Sequence, residues 1–261
     1  MSTRLADYFS STEHKTLIPY ISAGDPSPAA TVELLHALVR GGADILELGV
    51  PFSDPTADGE TIQRAHQRAL AQGMTLAGVF AIVAEFRRDN QQTPVILMGY
   101  LNSFERFGFA AACAAMHRAG VDGVILVDCP VEALPDYEAE LRKNDIAPIM
   151  LVAPTTTAAR RQQIVAQARG FIYFVSLRGV TGKNSADADA IREAVEQLRR
   201  ESPVPVCIGF GIRDGASARK MAQLADGVII GSALVAKIAT GGPINQVAET
   251  FMCDIRHHLD S

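Results

Sequence analysis

Short, almost continuously apolar runs alternate with amphipathic segments along most of this chain. Eight such runs begin at Thr16, Asp44, Pro94, Asp122, Ala147, Phe171, Pro205 and Asp226. Runs this short and this apolar are typical of parallel strands that are buried on both faces. The segments between them carry apolar residues at helical spacing and charged residues on the opposite side, as in LAGVFAIVAEFRRDN. The pattern therefore predicts eight repeated units of one strand and one helix.

Eight such units in a chain of 261 residues predict an α/β fold, the (β/α)8 TIM barrel, whose usual length is ~250 residues. Because no linker rich in Pro, Gly or Ser interrupts the series, we expect residues 1–261 to form a single barrel domain. An open doubly wound sheet is the alternative. The first strand-to-helix turn, AGDPSP, lacks the GxGxxG phosphate fingerprint, which disfavours that alternative.

Composition and charge exclude several classes of partner. The chain has 24 Lys and Arg against 29 Asp and Glu, which gives a net charge of −5. We therefore expect neither nucleic acid nor an anionic membrane surface as a partner. The N-terminal segment lacks the apolar core of a signal peptide, and no run approaches the ~18 apolar residues of a membrane span. These features predict a cytoplasmic protein.

The cysteines and histidines indicate no metal site. The four cysteines, Cys113, Cys129, Cys207 and Cys253, are far apart, lie in apolar surroundings and form no CxxC pair. Reduced core thiols are therefore favoured over disulfides or metal ligands. His257 and His258 are neighbours, and adjacent residues on a helix point in different directions, so they would make a poor chelate.

Candidate chemistry lies at the carboxyl ends of the predicted strands, where barrels of this kind place their active sites. Four carboxylates occur there: Glu47, Asp54, Asp58 and Asp128. Glu47 stands inside an apolar strand, so we expect it to point into the barrel mouth with a pKa raised by desolvation, which suits proton transfer. The alternative for Glu47 is a buried carboxylate in a structural hydrogen-bond network.

The loop after that strand, PFSDPTADGE, is more polar and richer in turn residues than a short connector requires. Loops of this kind often act as lids, although a solvated surface turn is the alternative. The later strand ends carry glycine instead of acid, in RGVTG, IGFG and IIGSA. Glycine allows close approach of the backbone to a ligand, and N–H groups at a helix N-terminus favour an anion. These turns predict a phosphate site, with turn geometry alone as the alternative.

The segment LELGVPFSDPTADGETIQ, from Leu46 to Gln63, closely resembles the signature of the alpha-subunit family of tryptophan synthase. Further matching segments follow the family's order: PYISAGDP, LMGYLN, GVDGVILVDCPVEA, RGVTG, GFGI and DGVIIGSALV. The resemblance covers essentially the whole chain. It implies a (β/α)8 barrel that cleaves indole-3-glycerol phosphate to indole and glyceraldehyde 3-phosphate. It also implies an alpha2-beta2 complex, in which indole passes to a pyridoxal-phosphate-dependent beta subunit for tryptophan synthesis.

The resemblance also implies roles for individual residues. The family's catalytic glutamate and aspartate correspond to Glu47 and Asp58, and partner coupling is expected at Asp54. The indole pocket should include Tyr20, Met98, Tyr100, Ile125, Val127, Tyr173 and Phe210. The phosphate binders correspond to Gly182, Gly211, Gly231 and Ser232. We expect no metal and no organic cofactor in this chain, since pyridoxal phosphate belongs to the beta partner.

Two residues of the loop depart from the family pattern. Thr56 stands where the family usually has an apolar residue, and Glu60 stands where it usually has proline. If the side chains of Glu60 and Asp58 converged, like-charge repulsion would raise the pKa of Asp58. Two other functions stay open: a stand-alone indole-3-glycerol phosphate lyase, and a largely inactive barrel that serves as an allosteric subunit. Turnover measured with and without a beta subunit would separate the three.

Overall fold

The apolar runs form parallel strands of one sheet in a computed structural model, which describes residues 3–175, 185–209 and 211–261. The strands are β1 (Thr16–Ser22), β2 (Leu46–Gly49), β3 (Val95–Gly99), β4 (Gly123–Leu126), β5 (Ala147–Pro148), β6 (Met150–Val152), β7 (Ile172–Val175), β8 (Val206–Gly209) and β9 (Gly227–Ile230). Their order in the sheet is β5-β4-β3-β2-β1-β9-β8-β7-β6. The two ends of this order belong to one continuous segment, which closes the sheet into a barrel.

That closing segment differs from the expected single strand. β5 pairs with β4 and β6 pairs with β7, with Ile149 between them. The N–H of Ile149 still donates to the carbonyl of Val124 at 2.9 Å, so the backbone stays attached to the β4 side. The eight predicted runs therefore form the eight walls of a barrel, and the fifth is split because its two halves pair with different neighbours. This confirms the predicted (β/α)8 architecture.

Helices cover the outside and one end of the barrel. They are α1 (Thr3–Ser11), α2 (Pro28–Arg40), α3 (Glu60–Ala71), α4 (Leu76–Asp89), α5 (Leu101–Phe107), α6 (Phe109–Ala119), α7 (Pro135–Lys143), α8 (Ala158–Gln167), α9 (Ser185–Glu201), α10 (Gly215–Ala222), α11 (Ser232–Ala239) and α12 (Ile244–Asp260). The amphipathic segment between β3 and β4 forms two helices, α5 and α6. Gly108 separates them with a φ of 89°, a conformation that ends a right-handed helix.

Two apolar layers fill the fold. The larger one lies between the outer faces of the strands and the helices. The inner one is built from alternate strand residues, among them Ile18, Ile96 and Ile125. α1 closes the amino-terminal end of the barrel, where the ring of Phe9 lies 6.0 Å from that of Phe171. Apolar side chains therefore pack the amino-terminal end, and the polar side chains of the candidate site lie at the carboxyl-terminal end of the strands.

At the closed end of the barrel one contact occurs three times, and we call it the aspartate clasp. In three helix-end turns an aspartate accepts the backbone N–H of the strand that precedes it in the chain. The pairs are Leu17 with Asp44 at 2.8 Å, Val95 with Asp122 at 2.8 Å, and Val206 with Asp226 at 2.9 Å. An arginine pairs with each carboxylate: Arg256, Arg87 and Arg199, respectively. These three contacts fix strand positions at the end opposite the open mouth.

The structure bears on two expectations, the absence of a membrane span and the core position of the cysteines. Among the described residues no single helix is long and apolar enough to cross a membrane, although α3 and α4 together reach that length and composition with a bend of 94° between them. All four cysteines are free, Cys113 and Cys207 are buried as expected, and Cys129 is only partly buried. Cys253 is exposed, so the expectation of a core position is wrong for that thiol, which lies on the solvent side of α12.

Candidate active site

Glu47 projects into the barrel from β2, in register with Tyr20 of β1 and Ile96 of β3. It is 2% exposed, and its Oε2 atom accepts no hydrogen bond from the described residues. Burial, and then the nearby charge of Asp58, raise the pKa of Glu47 to about 8. A carboxyl group with this pKa exists in both protonation states near neutral pH, which is the condition for moving protons in both directions.

Asp58 reaches the same space from the loop after β2, and Tyr100 holds it there. The Tyr100 hydroxyl donates to Oδ2 of Asp58 at 2.9 Å and accepts the backbone N–H of Ala57 at 2.9 Å. The rings of Phe52 and Tyr100 stack with centroids 4.8 Å apart. One tyrosine at the end of β3 therefore anchors both the start and the end of this loop.

The two carboxyl groups differ in their hydrogen bonding. Burial raises the pKa of Asp58, and the bond from Tyr100 opposes that rise. Glu47 has no such donor on Oε2. Because neighbouring carboxylates avoid carrying charge together, the group with a donor holds the negative charge. We therefore assign the charge to Asp58 and the proton to Glu47 at neutral pH.

Two tyrosines line the mouth, and each lies over a glycine of the neighbouring strand. A Cβ atom at Gly49 would lie 2.6 Å from Cζ of Tyr20 and closer still to its hydroxyl oxygen. A Cβ atom at Gly209 would lie 2.6 Å from Cε1 of Tyr173. Burial raises the pKa of both tyrosines, and the charge of Glu47 adds to this at Tyr173. Both hydroxyls thus stay neutral and can donate hydrogen bonds.

The structure brings most of the predicted pocket residues together. Tyr20 and Met98 belong to one cluster, and the barrel interior contains Met98, Ile125, Val127 and Tyr173. Three of these, Met98, Val127 and Tyr173, are only half-buried, so they face the open mouth. Phe210 and Gly182 lie outside the described residues. The arrangement is an apolar cup with carboxyl groups at its wall and rim, which matches what a flat aromatic ring requires.

The predicted phosphate residues follow β8 and β9. Ser232 is the first residue of α11 and is exposed, with Gly231 before it. The first intrahelical bond runs from Val235 N–H to the carbonyl of Gly231, so the N–H groups of residues 232–234 have no acceptor within the helix. Gly211 has a φ of 74°, which favours glycine. Gly231 has a second reason to be glycine, because a Cβ there would lie 3.3 Å from Cβ of Tyr20.

The side chains of Thr56 and Glu60, the two unusual residues of the loop, point away from the two carboxyl groups. Glu60 is the first residue of α3, is 76% exposed and pairs with Arg64 one turn later. An acidic side chain is favourable in the first turn of a helix. The side chains of Glu60 and Asp58 therefore do not converge, and like-charge repulsion from Glu60 does not act on Asp58. Thr56 is exposed, as is Asp54, whose Oδ2 accepts from the Ser53 hydroxyl at 2.7 Å.

Two further residues make structural contacts here: Asp128, one of the four carboxylates expected at the strand ends, and His66, which the sequence did not single out. Asp128 is exposed and accepts the N–H of Leu101 at 2.7 Å, which positions the start of α5. His66 is buried against the loop that follows β2, between Phe52 and Tyr20. Its only signal in the sequence is its place among Ile62, Ala65 and Ala69 on the apolar side of a helix. In the described part of the chain no group of three or more His, Cys, Asp or Glu side chains could hold a metal ion.

Comparisons with known proteins agree with this fold. The family model of the tryptophan synthase alpha chain matches residues 7–259. A tryptophan synthase alpha chain from Laribacter hongkongensis is 52% identical over 248 residues, covering 95% of this chain and 94% of that one. The crystal structure of tryptophan synthase subunit alpha from Legionella pneumophila has a TM-score of 0.91 and 38% identity, covering 98% of each chain. A chain of the tryptophan synthase a2b2 complex from Pyrococcus furiosus has a TM-score of 0.85 and 36% identity, covering 94% of this chain and 98% of that one.

Proposed function

Because the chain belongs to the tryptophan synthase alpha chain family, we propose that it is a carbon–carbon lyase that cleaves indole-3-glycerol phosphate to indole and glyceraldehyde 3-phosphate. One observation carries the proposal. A buried glutamate with a raised pKa and a free carboxyl oxygen shares the barrel mouth with a second, hydrogen-bonded carboxylate. A retro-aldol cleavage needs both kinds of group within reach of one substrate.

The reaction can be written with these two side chains alone. Protonated Glu47 donates its proton to C3 of the indole ring, and the ring nitrogen becomes positively charged. Ionised Asp58 accepts the hydrogen bond of that N–H and stabilises the charge. The bond between C3 and the glycerol carbon then breaks, and its electron pair returns to the ring. The glycerol hydroxyl loses its proton to Glu47 as the aldehyde forms, so Glu47 ends the cycle protonated.

The remaining residues place the substrate. The indole ring would lie in the apolar cup described above, beside the Tyr20 and Tyr173 rings, with Phe210 assigned to the same pocket by resemblance. The phosphate would bind at the start of α11, where Ser232 and its neighbours offer free N–H groups. Gly211 and Gly182 complete that site in the proposal.

We also propose that the chain works in an alpha2-beta2 complex, as the Pyrococcus furiosus protein does. Asp54 lies exposed in the loop that carries Asp58, so contact with a beta subunit at Asp54 would act on the carboxylate through a short segment of backbone. Pyridoxal phosphate belongs to the beta subunit in this proposal, because the proton transfers assigned here need only side chains. We further propose that the protein is cytoplasmic and that residues 1–261 form one domain.

The test is substitution of the two carboxyl groups. Glu47→Gln keeps the shape of the side chain and removes the exchangeable proton, so indole release should fall by about 10²- to 10⁴-fold. Asp58→Asn should also lose activity, since an amide cannot carry the stabilising charge. Glu60→Gln is the matched control, because Glu60 is exposed and paired with Arg64, and it should keep wild-type activity.

The assay is the release of indole, measured with and without a beta subunit. A folded Glu47→Gln variant that releases indole at the wild-type rate would contradict the assignment. Wild-type turnover that is fast alone and unchanged by the beta subunit would favour the stand-alone lyase. Turnover that is absent under both conditions would favour a purely allosteric subunit.

A further inference from the structure

His66 is a buried titratable side chain for which the proposed reaction has no use. It is 3% exposed and lies on the face of α3 that carries Ile62, Ala65 and Ala69. A buried imidazole is costly unless its ring nitrogens are hydrogen-bonded. Both nitrogens of His66 have partners, and the partners belong to two different parts of the site.

The partners define the protonation state of the ring. Nδ1 lies 3.2 Å from the backbone nitrogen of Phe52, which can only donate, so Nδ1 must carry the lone pair. The ring proton is therefore on Nε2, which donates to the Tyr20 hydroxyl at 3.1 Å. Burial lowers the pKa of His66, which agrees with a neutral ring. Since the Tyr20 oxygen accepts this bond, its own proton is left for Ser22 Oγ, at 3.3 Å, or for a ligand.

The two contacts join the halves of the site that carry the two carboxyl groups. Phe52 begins the loop of Asp58, and its ring stacks on Tyr100, which holds Asp58. Tyr20 lies beside Glu47, its register partner on the neighbouring strand. A single imidazole thus connects the backbone of the loop with the ring that flanks the proton donor.

We propose that His66 is a positioning residue of this site: its neutral ring holds the loop at Phe52 and the ring of Tyr20 in the arrangement in which Asp58 and Glu47 face one substrate. The proposal rests on the proposed function for its kinetic consequence, but not for the contacts themselves. A second proton on the ring would turn Nδ1 into a donor that faces the donor N–H of Phe52. The loop contact would then open, so the arrangement should be lost in acid.

Burial opposes protonation of the ring, whereas the charges of the nearby carboxylates favour it. Tyr20 faces it from β1, and the charges of Asp58 and Asp25 act on it from the loops after β2 and β1. Asp25 is held by Arg68 at 2.7 and 2.8 Å, which neutralises it. α11 contributes apolar Val235 to the cluster around Tyr20, while its Lys237 lies over the ring of Phe251 on α12. The uncompensated charge near His66 is therefore that of Asp58, which would attract a protonated ring.

Two substitutions separate the contacts. His66→Asn keeps an acceptor near the position of Nδ1 and loses the reach to Tyr20, while His66→Gln keeps a donor that can reach Tyr20. Neither side chain titrates. We expect each variant to fold and to lower kcat about 10- to 100-fold with a smaller change in KM, because both carboxyl groups stay but their placement loosens. His36→Gln is the matched control, since His36 lies on α2 against Phe86.

The pH dependence distinguishes positioning from a loss of stability. The wild-type enzyme should lose its advantage over His66→Asn and His66→Gln as the pH falls through the lowered pKa of His66, because its own ring then releases the loop. A penalty of the same size at every pH, or wild-type kcat in both folded variants, would overturn the proposal. The control His36→Gln should match the wild type throughout.

A measurement without substrate keeps the proposal testable if a variant fails to fold or if the proposed reaction is wrong. In the wild-type protein, the protection of the Phe52 amide, meaning its exchange rate compared with the intrinsic rate at the same pH, should be high while His66 is neutral. This protection should fall as the ring gains a proton, which NMR titration of His66 follows. Exchange at Phe52 that ignores the titration of His66 would overturn the inference. Failure of the protein to cleave indole-3-glycerol phosphate would overturn the proposed function and leave this result standing.

Discussion

Replacing Glu47 by glutamine should stabilise the fold, and the stabilisation should grow as the pH rises. Burial raises the pKa of Glu47 from its usual 4.5 to about 8 in the folded protein. Between these two values the folded state retains a proton that the unfolded chain has released, so the stability of the fold falls as pH increases. Glutamine has no such proton. The variant should therefore escape a loss that the wild-type protein suffers.

The size of the effect follows from 1.36 kcal/mol for each pKa unit. With a pKa raised from 4.5 to about 8, the wild-type protein should lose at most ~5 kcal/mol above pH 8. By pH 7 about 3 kcal/mol of this should already be lost. Domains are usually stable by only ~5–15 kcal/mol, so the difference is large enough to measure.

The assay is urea unfolding of the wild type and Glu47→Gln at pH 5 and pH 8.5. The difference in the free energy of unfolding between the two proteins cancels the titration of all other groups. It should be small at pH 5 and favour the variant by several kcal/mol at pH 8.5. Glu60→Gln is the control, because a side chain that is 76% exposed keeps its charge solvated in both states. A difference that is equal at both pH values would refute the reasoning.

The remaining predictions concern the mouth of the barrel. Gly49→Ala should cost about 1–3 kcal/mol of stability and lower kcat, because the new Cβ would lie 2.6 Å from Cζ of Tyr20. In the control Gly59→Ala the new Cβ would have nothing within 4 Å, so the melting temperature should change little. Equal losses of stability in the two variants would contradict this reason. Ser232→Asp should raise the KM for the phosphorylated substrate by placing a like charge at the start of α11, whereas Ser232→Asn, of the same shape, should raise it less. Equal KM values in these two variants would mean that the phosphate binds elsewhere.

The strands could be predicted because a parallel strand buried on both faces needs apolar residues at nearly every position. That requirement leaves a continuous run in the sequence, and all eight runs form walls of the barrel. The break at Ile149 could not be predicted, since it reflects a change of pairing partner for the backbone, which leaves no mark on the side chains. The division of α5 from α6 has only Gly108 as a signal, and glycine inside a helical pattern is often tolerated.

Of the candidate site, the sequence could predict those residues whose type is unusual within their own segment. A glutamate inside the apolar strand DILELGV is such a residue, and Glu47 is buried with a raised pKa as expected. His66 looks ordinary in an amphipathic helix, and its partner Tyr20 lies 46 positions away. Gly49 could be seen only as a small residue in a strand. Glycine is needed there because the ring of Tyr20, from the next strand, fills the adjacent space, and that contact exists only in three dimensions.

The aspartate clasps at the closed end also determine which side chains can do chemistry at the open end. Asp44 holds the N–H of Leu17 and precedes Glu47 by three positions, so it sets the register in which Glu47 faces Tyr20. Side chains alternate between the two faces of a strand, and a slip of one residue would turn the glutamate out of the barrel and a leucine in. A search for inactive variants should therefore recover substitutions of Asp44, a residue at the far end of the barrel from the substrate.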